Sequence, residues 1–391
     1  MNPPAATGGL ADYARLIFEG RDAQPTFQAL LARATATPAD VGAMLDLSTL
    51  LQLAGQREQG LALQTDALGR QRHYRHTLGS GVGPRLLALA AAGDLMASTP
   101  VEFLLDGWSG ELDLLFLAPG DPPLSDLPGH DIAILAIGES DANAPILATL
   151  ETVVRSWPRP LLNGDPDAIR ALGRDRAPVR LAGASGLVAP PTRRIDRAEL
   201  AALDAAFPIA AFPVIVRPVD SHAGAGLEKL DAPADITAYL ARQPGERFYV
   251  QPFVDYSGAD GRFRKLRIAL VAGRPFIVHM AVSDHWMVHY LNAGMADDPG
   301  KRAEEAAMMA GFETGFAARH ADAFAALHAA FGLDYVAIDC AEDREGRLLL
   351  FEADTAMIVH AMDPPELYPY KQPAMAKLFA AFQALVTTRL S

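Results

Sequence analysis

The stretch from Leu333 to His360, LDYVAIDCAEDREGRLLLFEADTAMIVH, restricts this chain more than any other. Two short apolar runs, Tyr335 to Ile338 and Leu348 to Phe351, flank a charged, glycine-containing turn from Glu342 to Arg347, the pattern of a β-hairpin. The first run ends on Asp339, and the second leads into Glu352 and, two residues on, Asp354. Alternation along a strand puts Glu352 and Asp354 on one face, and hairpin pairing can bring Asp339 alongside them. Three carboxylates on one face repel one another unless a cation sits among them, and hard oxygen ligands suit Mg²⁺. A surface hairpin with solvated acids is the plainer alternative. Apolar neighbours on both sides of the acids favour a cleft wall.

The chain has 391 residues, too many for one core, and this predicts two or three domains. Its formal net charge of −13 argues against nucleic acid and anionic membrane surfaces as partners, so any anionic ligand needs a local basic cluster. The one cysteine, Cys340, lies in an apolar run. It excludes a disulfide framework, reads as a packed core thiol, and fits a reducing cytoplasm. The N-terminus MNPPAATGGLADY lacks a basic region followed by an apolar one, and no uncharged apolar run approaches the roughly 18 residues of a membrane span. A cytoplasmic protein is the expectation.

Residues 10 to 72 carry apolar residues at helical spacing in four segments, Leu10 to Glu19, Pro25 to Ala34, Ala39 to Ala54 and Arg57 to Arg72, broken at Gly20, Pro38 and Gly55. The last two fit a helical hairpin of tetratricopeptide type, but one such unit falls short of the roughly three that a free solenoid needs. It reads as a cap on the next domain or as a docking surface for a peptide or protein. From about residue 80 the texture changes to Arg85 to Ala91, a capped helix with Phe103 and Leu104, Leu112 to Leu117, Asp131 to Ile137 and a helix from Asn143 to Trp157. Apolar runs each followed by a helix predict a small parallel sheet. Gly79, Gly81 and Gly83 precede its first strand and read as a linker.

Further on, Pro213 to Pro218 is a predicted strand feeding DSHAGAG, where Gly224 and Gly226 let backbone N–H groups approach an anion. RFYVQPFV from Arg247 to Val254 is another. Arg262 to Val271 interleaves Arg262, Arg264, Lys265 and Arg267 with apolar residues, and Arg274 to Ala281 completes a hairpin with it. Basic residues on a strand usually form a solvated face. In an acidic chain with only five lysines, four cations within six positions suggest an anion site instead. His279 to Met295 holds three of the ten histidines. Zinc binding by His279, His285 and His289 is weighed because His285 and His289 are four apart, but a lid or specificity loop is preferred, with Ser283, His285 and Asn292 as hydrogen-bonding groups for a polar substrate. Residues 300 to 330 read as an Ala-rich helical segment with Glu304, Glu305, Arg319 and His320 exposed, and Tyr370 to Leu390 as a final helix.

The order LLNGDPDAIRALGRDRAPVR, PVIVRPVDSHAGAG, FYVQPFVDY, FRKLRIALVAGRPF and then the acidic hairpin resembles the ATP-grasp superfamily, within it the RimK-like and glutathione synthetase-like carboxylate-amine ligases. The resemblance covers roughly residues 80 to 385. It implies an α/β fold with ATP held between two sheets and two Mg²⁺ ions, or Mn²⁺, on the phosphates. The layout it suggests is a helical region over residues 1–78, a small α/β domain over 79–160, a small ATP-grasp lid domain over 161–250 and a catalytic domain over 251–391. Carried over, it makes Asp339, Glu352 and Asp354 the metal ligands, Asp354 standing where the family usually has asparagine. Arg176, with Arg180 as competitor, and Arg217 take the places of two nucleotide lysines. His222, Gly224 and Gly226 would meet the phosphates, Gln251, Phe253 and Val254 the base, and Asp255 the ribose. Arg267, Lys265 and Arg264 would stabilise transferring charge. The implied activity is ATP-dependent amide or peptide bond formation through an acyl phosphate on an amino acid or peptide, in a protein that is commonly a dimer. An ATP-binding sensor or scaffold is the alternative, and a phosphotransferase a third.

Overall fold

The computed structural model describes residues 3–37, 40–121, 127–203, 212–219, 221 and 224–390. Four helices, Leu10–Phe18, Gln24–Ala36, Val41–Leu53 and Arg57–Arg70, open the chain close to where the periodicity puts them. Gly20 and Gly55, both at positive φ, follow the first and third helices, where only glycine turns left-handed without cost. Pro38, expected to break the chain, lies outside the described residues. The third helix starts at an Asp40 cap whose side chain accepts from Ala43 N at 2.9 Å. Its partner crosses closely: a Cβ on Gly60 would come within 2.9 Å of the Ser48 carbonyl.

The helices do not stand alone. Strands Ala5–Ala6 and His73–Leu78, missed by helical periodicity, join Gly110–Leu117, Arg85–Ala91, Ile132–Leu135 and Leu161–Leu162 in one six-stranded sheet. Its last four strands are parallel as expected, but His73–Leu78 runs antiparallel to Gly110–Leu117, so the sheet is mixed. The glycines from 79 to 83 form the turn that reverses the chain from one of these strands into the next.

Two further sheets are antiparallel apart from one edge. The small one orders Glu228–Leu230, Val214–Pro218, Arg247–Pro252 and Arg193–Asp196, and it has a core of its own built on Val214, Val216, Tyr239 and Phe248. The large one orders Arg274–Ser283, Phe263–Val271, Tyr335–Glu342, Leu348–Asp354 and the short parallel edge Leu187–Val188. The acidic and basic hairpins are therefore neighbours in one sheet. Residues 161–188, expected in the lid, lie apart from the small sheet: Leu161–Leu162 pairs in the first sheet, while Ile169, Leu172 and Leu181 pack in a core shared by the first and large sheets.

The first and large sheets share continuous cores, in which Leu86 and Ile134 meet Ala269, Tyr335 and the final helix Lys371–Leu390 through Phe382. Asn163, buried at φ 50°, stitches them together. Its amide donates to Tyr335 O at 2.8 Å and accepts from Tyr335 N at 2.9 Å, and its own N–H donates to Asp334 at 2.9 Å. The Ala-rich segment forms as Pro299–Gly311, Phe316–Arg319 and Ala321–Phe331. Glu305 and His320 are buried rather than exposed, because each finds polar partners inside: the Met280 N–H and two tyrosine hydroxyls for Glu305, and Glu342 for His320.

Replacing Asn163 by alanine removes both bonds to Tyr335 and leaves that backbone pair buried without partners. A stability loss of about 2–4 kcal/mol is expected, read from urea unfolding midpoints, and a loss below about 1 kcal/mol would remove Asn163 from this role.

Candidate active site

The small and large sheets face each other across a cavity of about 480 Å³. Its floor is the central part of the large sheet. Asp339 pairs in register with Arg267 on one neighbouring strand and Glu352 on the other, so three charged residues stand abreast. Lys265 and Asp354 lie two positions along from Arg267 and Glu352 and share their face. The ladders shift register beside these residues, between Arg267 and Ile268 and between Asp339 and Cys340. Such bulges re-aim side chains, and they recur next to functional clefts.

Asp339 is buried and fully engaged. Its Oδ1 accepts from Arg267 Nε at 2.8 Å, and its Oδ2 from Arg267 Nη2 at 3.1 Å and Lys265 Nζ at 2.6 Å. Burial alone would raise its pKa, but Arg267 and Lys265 hold it far below the usual carboxylate range. Burial likewise acts to lower the Arg267 pKa, and Asp339 more than restores it. Arg267 also donates to Ile358 O at 3.1 Å, which ties the sheet to the segment after it. Glu352 is ion-paired with Arg174. Asp354 has no ion-pair partner within reach among the described residues; it accepts only the Ala356 N–H at 2.8 Å, and burial pushes its pKa up to about 6.

The three expected metal ligands thus share a face, as alternation and pairing require. Among the described residues, however, no group of three or more acidic, histidine or cysteine side chains stands together as a ready metal site, including the weighed trio His279, His285 and His289. Asp339 and Glu352 have turned to basic partners. Their hard oxygen chemistry still fits Mg²⁺, and the half-buried Asp354, which has no ion-pair partner among the described residues, is the group that a divalent cation would relieve.

The roof comes from the small sheet. Arg217 lines the cavity, bonded to Ser221 through Oγ at 3.1 Å and through its carbonyl, with its pKa lowered to about 9 by burial and by Arg174. Gly224 lines the cavity, whereas Gly226 faces inward, where a Cβ would strike Pro218 and where its carbonyl accepts from Tyr239. His222 lies outside the described residues. Gln251, Phe253 and Val254 all line the cavity; Gln251 accepts from Thr192 Oγ1 at 2.9 Å, and Lys229 Nζ sits 4.8 Å from the Phe253 ring centre.

Several expectations change. Arg174, not Arg176, is the cation of its segment that reaches the cavity, because Arg176 folds back onto Glu139 at 2.6 Å. Arg180 points away and donates to Ala330 O at 3.0 Å. Arg264 lies outside, paired with Glu304 and Asp260. Asp255 is exposed and bound to Arg344 at 2.9 Å. In the 283–292 loop only Asn292 of the three proposed substrate residues lines the cavity: Ser283 is buried behind it, accepting from His285 N, and His285 is exposed. His285 and His289 share no helix, since the loop forms only a short turn at Tyr290–Asn292.

Sequence reasoning gave no role to Phe18 or Met96, which line the cavity together with His360 and Asp363, and it weighed His279 and His289, which also line it, only as zinc ligands. Burial lowers the pKa values of His279, His289 and His360, so these rings are neutral. A buried knot fixes the loop above them. Glu305 accepts from Met280 N at 2.9 Å, Tyr290 OH at 2.9 Å and Tyr370 OH at 2.7 Å, and Lys371 bridges to Asp363 at 3.0 Å.

No family model matches the sequence, and no curated protein matches it. Among solved structures the chain is similar to a RimK domain ATP-grasp protein from Sphaerobacter thermophilus DSM 20745, at 17% identity and a TM-score of 0.42, over 76% of this chain and 98% of that one. No helix among the described residues is long and apolar enough to cross a membrane.

Asp339→Asn leaves Lys265 and Arg267 without a counter-charge, and a loss of about 3–5 kcal/mol in unfolding free energy is expected. Asp354→Asn acts in the opposite direction. The folded carboxyl binds its proton more tightly than the free one, so stability falls as pH rises from 3.8 through about 6. The difference of about two pKa units corresponds to roughly 3 kcal/mol. Metal-free protein carrying Asp354→Asn should lose this slope and melt higher at pH 7; an unchanged pH profile in thermal melts would contradict the assignment.

Proposed function

We propose that the chain is an ATP-dependent carboxylate-amine ligase that forms an amide or peptide bond through an acyl phosphate, in the manner its resemblance to ATP-grasp enzymes implies. The observation that supports this reading is the convergence of Arg174, Arg217, Lys265 and Arg267 on one cavity of an acidic protein, beside an apolar slot at Phe253 and Val254. Cations of this density suit a polyphosphate, and apolar lining by Phe253, Val254 and Phe351 suits a purine base.

On this reading Arg217 and Arg174 bind phosphates, and Gly224 leaves its backbone open to them. Gln251, Phe253 and Val254 take the base. Arg267 and Lys265 stabilise charge on the transferring phosphoryl group and orient the substrate carboxylate, whose oxygen forms the new bond to phosphorus as the bond to ADP breaks. An amine then attacks the acyl carbon, losing a proton as phosphate leaves. The loop at 286–292 excludes water from that intermediate. Glu352 and Asp354, with Asp339 beside them, would hold Mg²⁺, which when bound supplies charge neutralisation at the phosphates. The second reading, an ATP sensor or scaffold, finds support in the complete engagement of Asp339 by Lys265 and Arg267.

Incubation with ATP, Mg²⁺ and pools of amino acids and short peptides should release ADP and phosphate in equal amounts, dependent on substrate. Arg217→Ala should weaken ATP binding roughly tenfold to a hundredfold, the loss of a bond to a charged group. Tight ATP binding without ADP release across the pools would favour the sensor. ADP without free phosphate would point to a phosphotransferase.

A further inference from the structure

The N-terminal helix Leu10–Phe18 contributes a side chain to the cavity. The helix is anchored at its start, where Ala11 N donates to the buried Glu102 at 2.8 Å, and again at Arg15, paired with Asp106 at 3.0 Å. This fixes the position of Phe18 at its last turn. The ring lies 4.9 Å from that of His360, which in turn lies 6.2 Å from Phe103. Phe18 is nevertheless 48% exposed, so it is no core residue, and it is one of the side chains that line the cavity.

The surroundings of that end are apolar in a specific way. Met96 and Met357 also line the cavity, Met357 as a buried side chain of the shared core, and the Met96 carbonyl and Ala356 both lie close to Gly138, where a Cβ would meet them. His360 Nδ1 accepts from Met362 N at 3.1 Å, so the neutral ring carries its hydrogen on Nε2 and presents a donor rather than a base. Arg267, which reaches Ile358 O in the same segment, supplies a cation at the border with the nucleotide side. Two flexible thioethers and an aromatic face suit a bulky apolar group, and the imidazole N–H and Arg267 suit the acceptor oxygens attached to it.

We propose that Phe18, with Met96 and Met357, forms the specificity wall of the second subsite, and that the substrate is a carboxylate bearing an aryl or branched-alkyl side chain. The helical extension is then part of the substrate site rather than only a cap or a docking surface. This rests on the reading of the cavity as a ligase site.

The test uses the full chain saturated with a non-hydrolysable ATP analogue and Mg²⁺, with calorimetric titration of 3-phenylpropionate, L-phenylalanine and L-leucine against L-serine and L-aspartate. At least one apolar probe should bind tenfold or more tightly than both polar ones. Phe18→Ala should weaken that probe roughly ten- to fiftyfold, as expected for a truncated apolar contact, and Phe18→Leu should recover most of the loss. Affinity for the nucleotide analogue should stay unchanged in both variants, which also reports that they are folded. Equal affinity for apolar and polar probes, no binding of any apolar probe, or no effect of Phe18→Ala overturns the proposal. Failure of the ligase reading would show separately, as absent ADP release with these affinities intact.

Discussion

The buried contact among Asp339, Lys265 and Arg267 is the interaction on which the rest of the site depends. A carboxylate with 1% exposure in the middle of a sheet is tolerable only because both of its oxygens are bonded to cations. Those cations come from the adjacent strand, so the charge arrangement and the pairing register specify each other: a one-residue slip of Phe263–Val271 would turn Arg267 and Lys265 to the opposite face, against the core that holds Leu266, Ile268 and Leu270. Arg267 carries the constraint onward through Ile358 O, which sets the course of the segment bearing His360 and Asp363.

The same logic explains how distant segments reach one cavity. The large sheet shares its core with the first sheet, and Asn163 locks the two at Tyr335, so side chains from residues 18, 96 and 139 can be aimed at the end of a strand more than two hundred residues away. The small sheet has a separate core, and it supplies Arg217 and Gln251 from a body that packs mainly on itself. Glu305 plays the corresponding part for the loop above the floor. It is buried on a helix whose sequence reads as a solvated surface, and it binds one strand backbone, one loop tyrosine and one C-terminal tyrosine at once.

Hairpins, helices and their order were legible in the sequence because each depends on local periodicity and turn chemistry: the acidic hairpin, the basic hairpin and the four opening helices lie within a few residues of expectation. The face shared by Asp339, Glu352 and Asp354 was legible for the same reason. What failed were choices among neighbours. Arg174 and Arg176 are separated by one residue, and only the turn after Arg170 decides which one enters the cavity and which one folds onto Glu139. The exposure expected for Glu305 and His320 failed because their partners are far away in sequence. Phe18 and His360 gave no sign of proximity, since nothing local couples residues 342 positions apart (360 − 18). Short strands such as Ala5–Ala6 and His73–Leu78 exist only through the sheet they extend.

The charge balance of the cavity bears on how a nucleotide and a divalent cation would enter together. Four cations, Arg174, Arg217, Lys265 and Arg267, face the three acids of the floor, Asp339, Glu352 and Asp354, while Glu139 and Asp363 on the wall are paired with Arg176 and Lys371; Arg174 and Lys265 are held by Glu352 and Asp339. A polyphosphate that draws Arg174 and Lys265 to itself leaves Glu352 without its partner and Asp339 with one fewer, next to Asp354, which burial already makes reluctant to ionise. Uncompensated carboxylates in such a setting cost several kcal/mol. A divalent cation arriving with the polyphosphate removes that cost in the same event. On the proposed reading, therefore, these ion pairs are the counterpart of the metal site: they hold the acids in a neutral setting until an anion competes for the bases. The acid at position 354, in place of the asparagine that the resemblance leads one to expect, strengthens this coupling, because it adds a charge that gains from the cation and has no base of its own to return to.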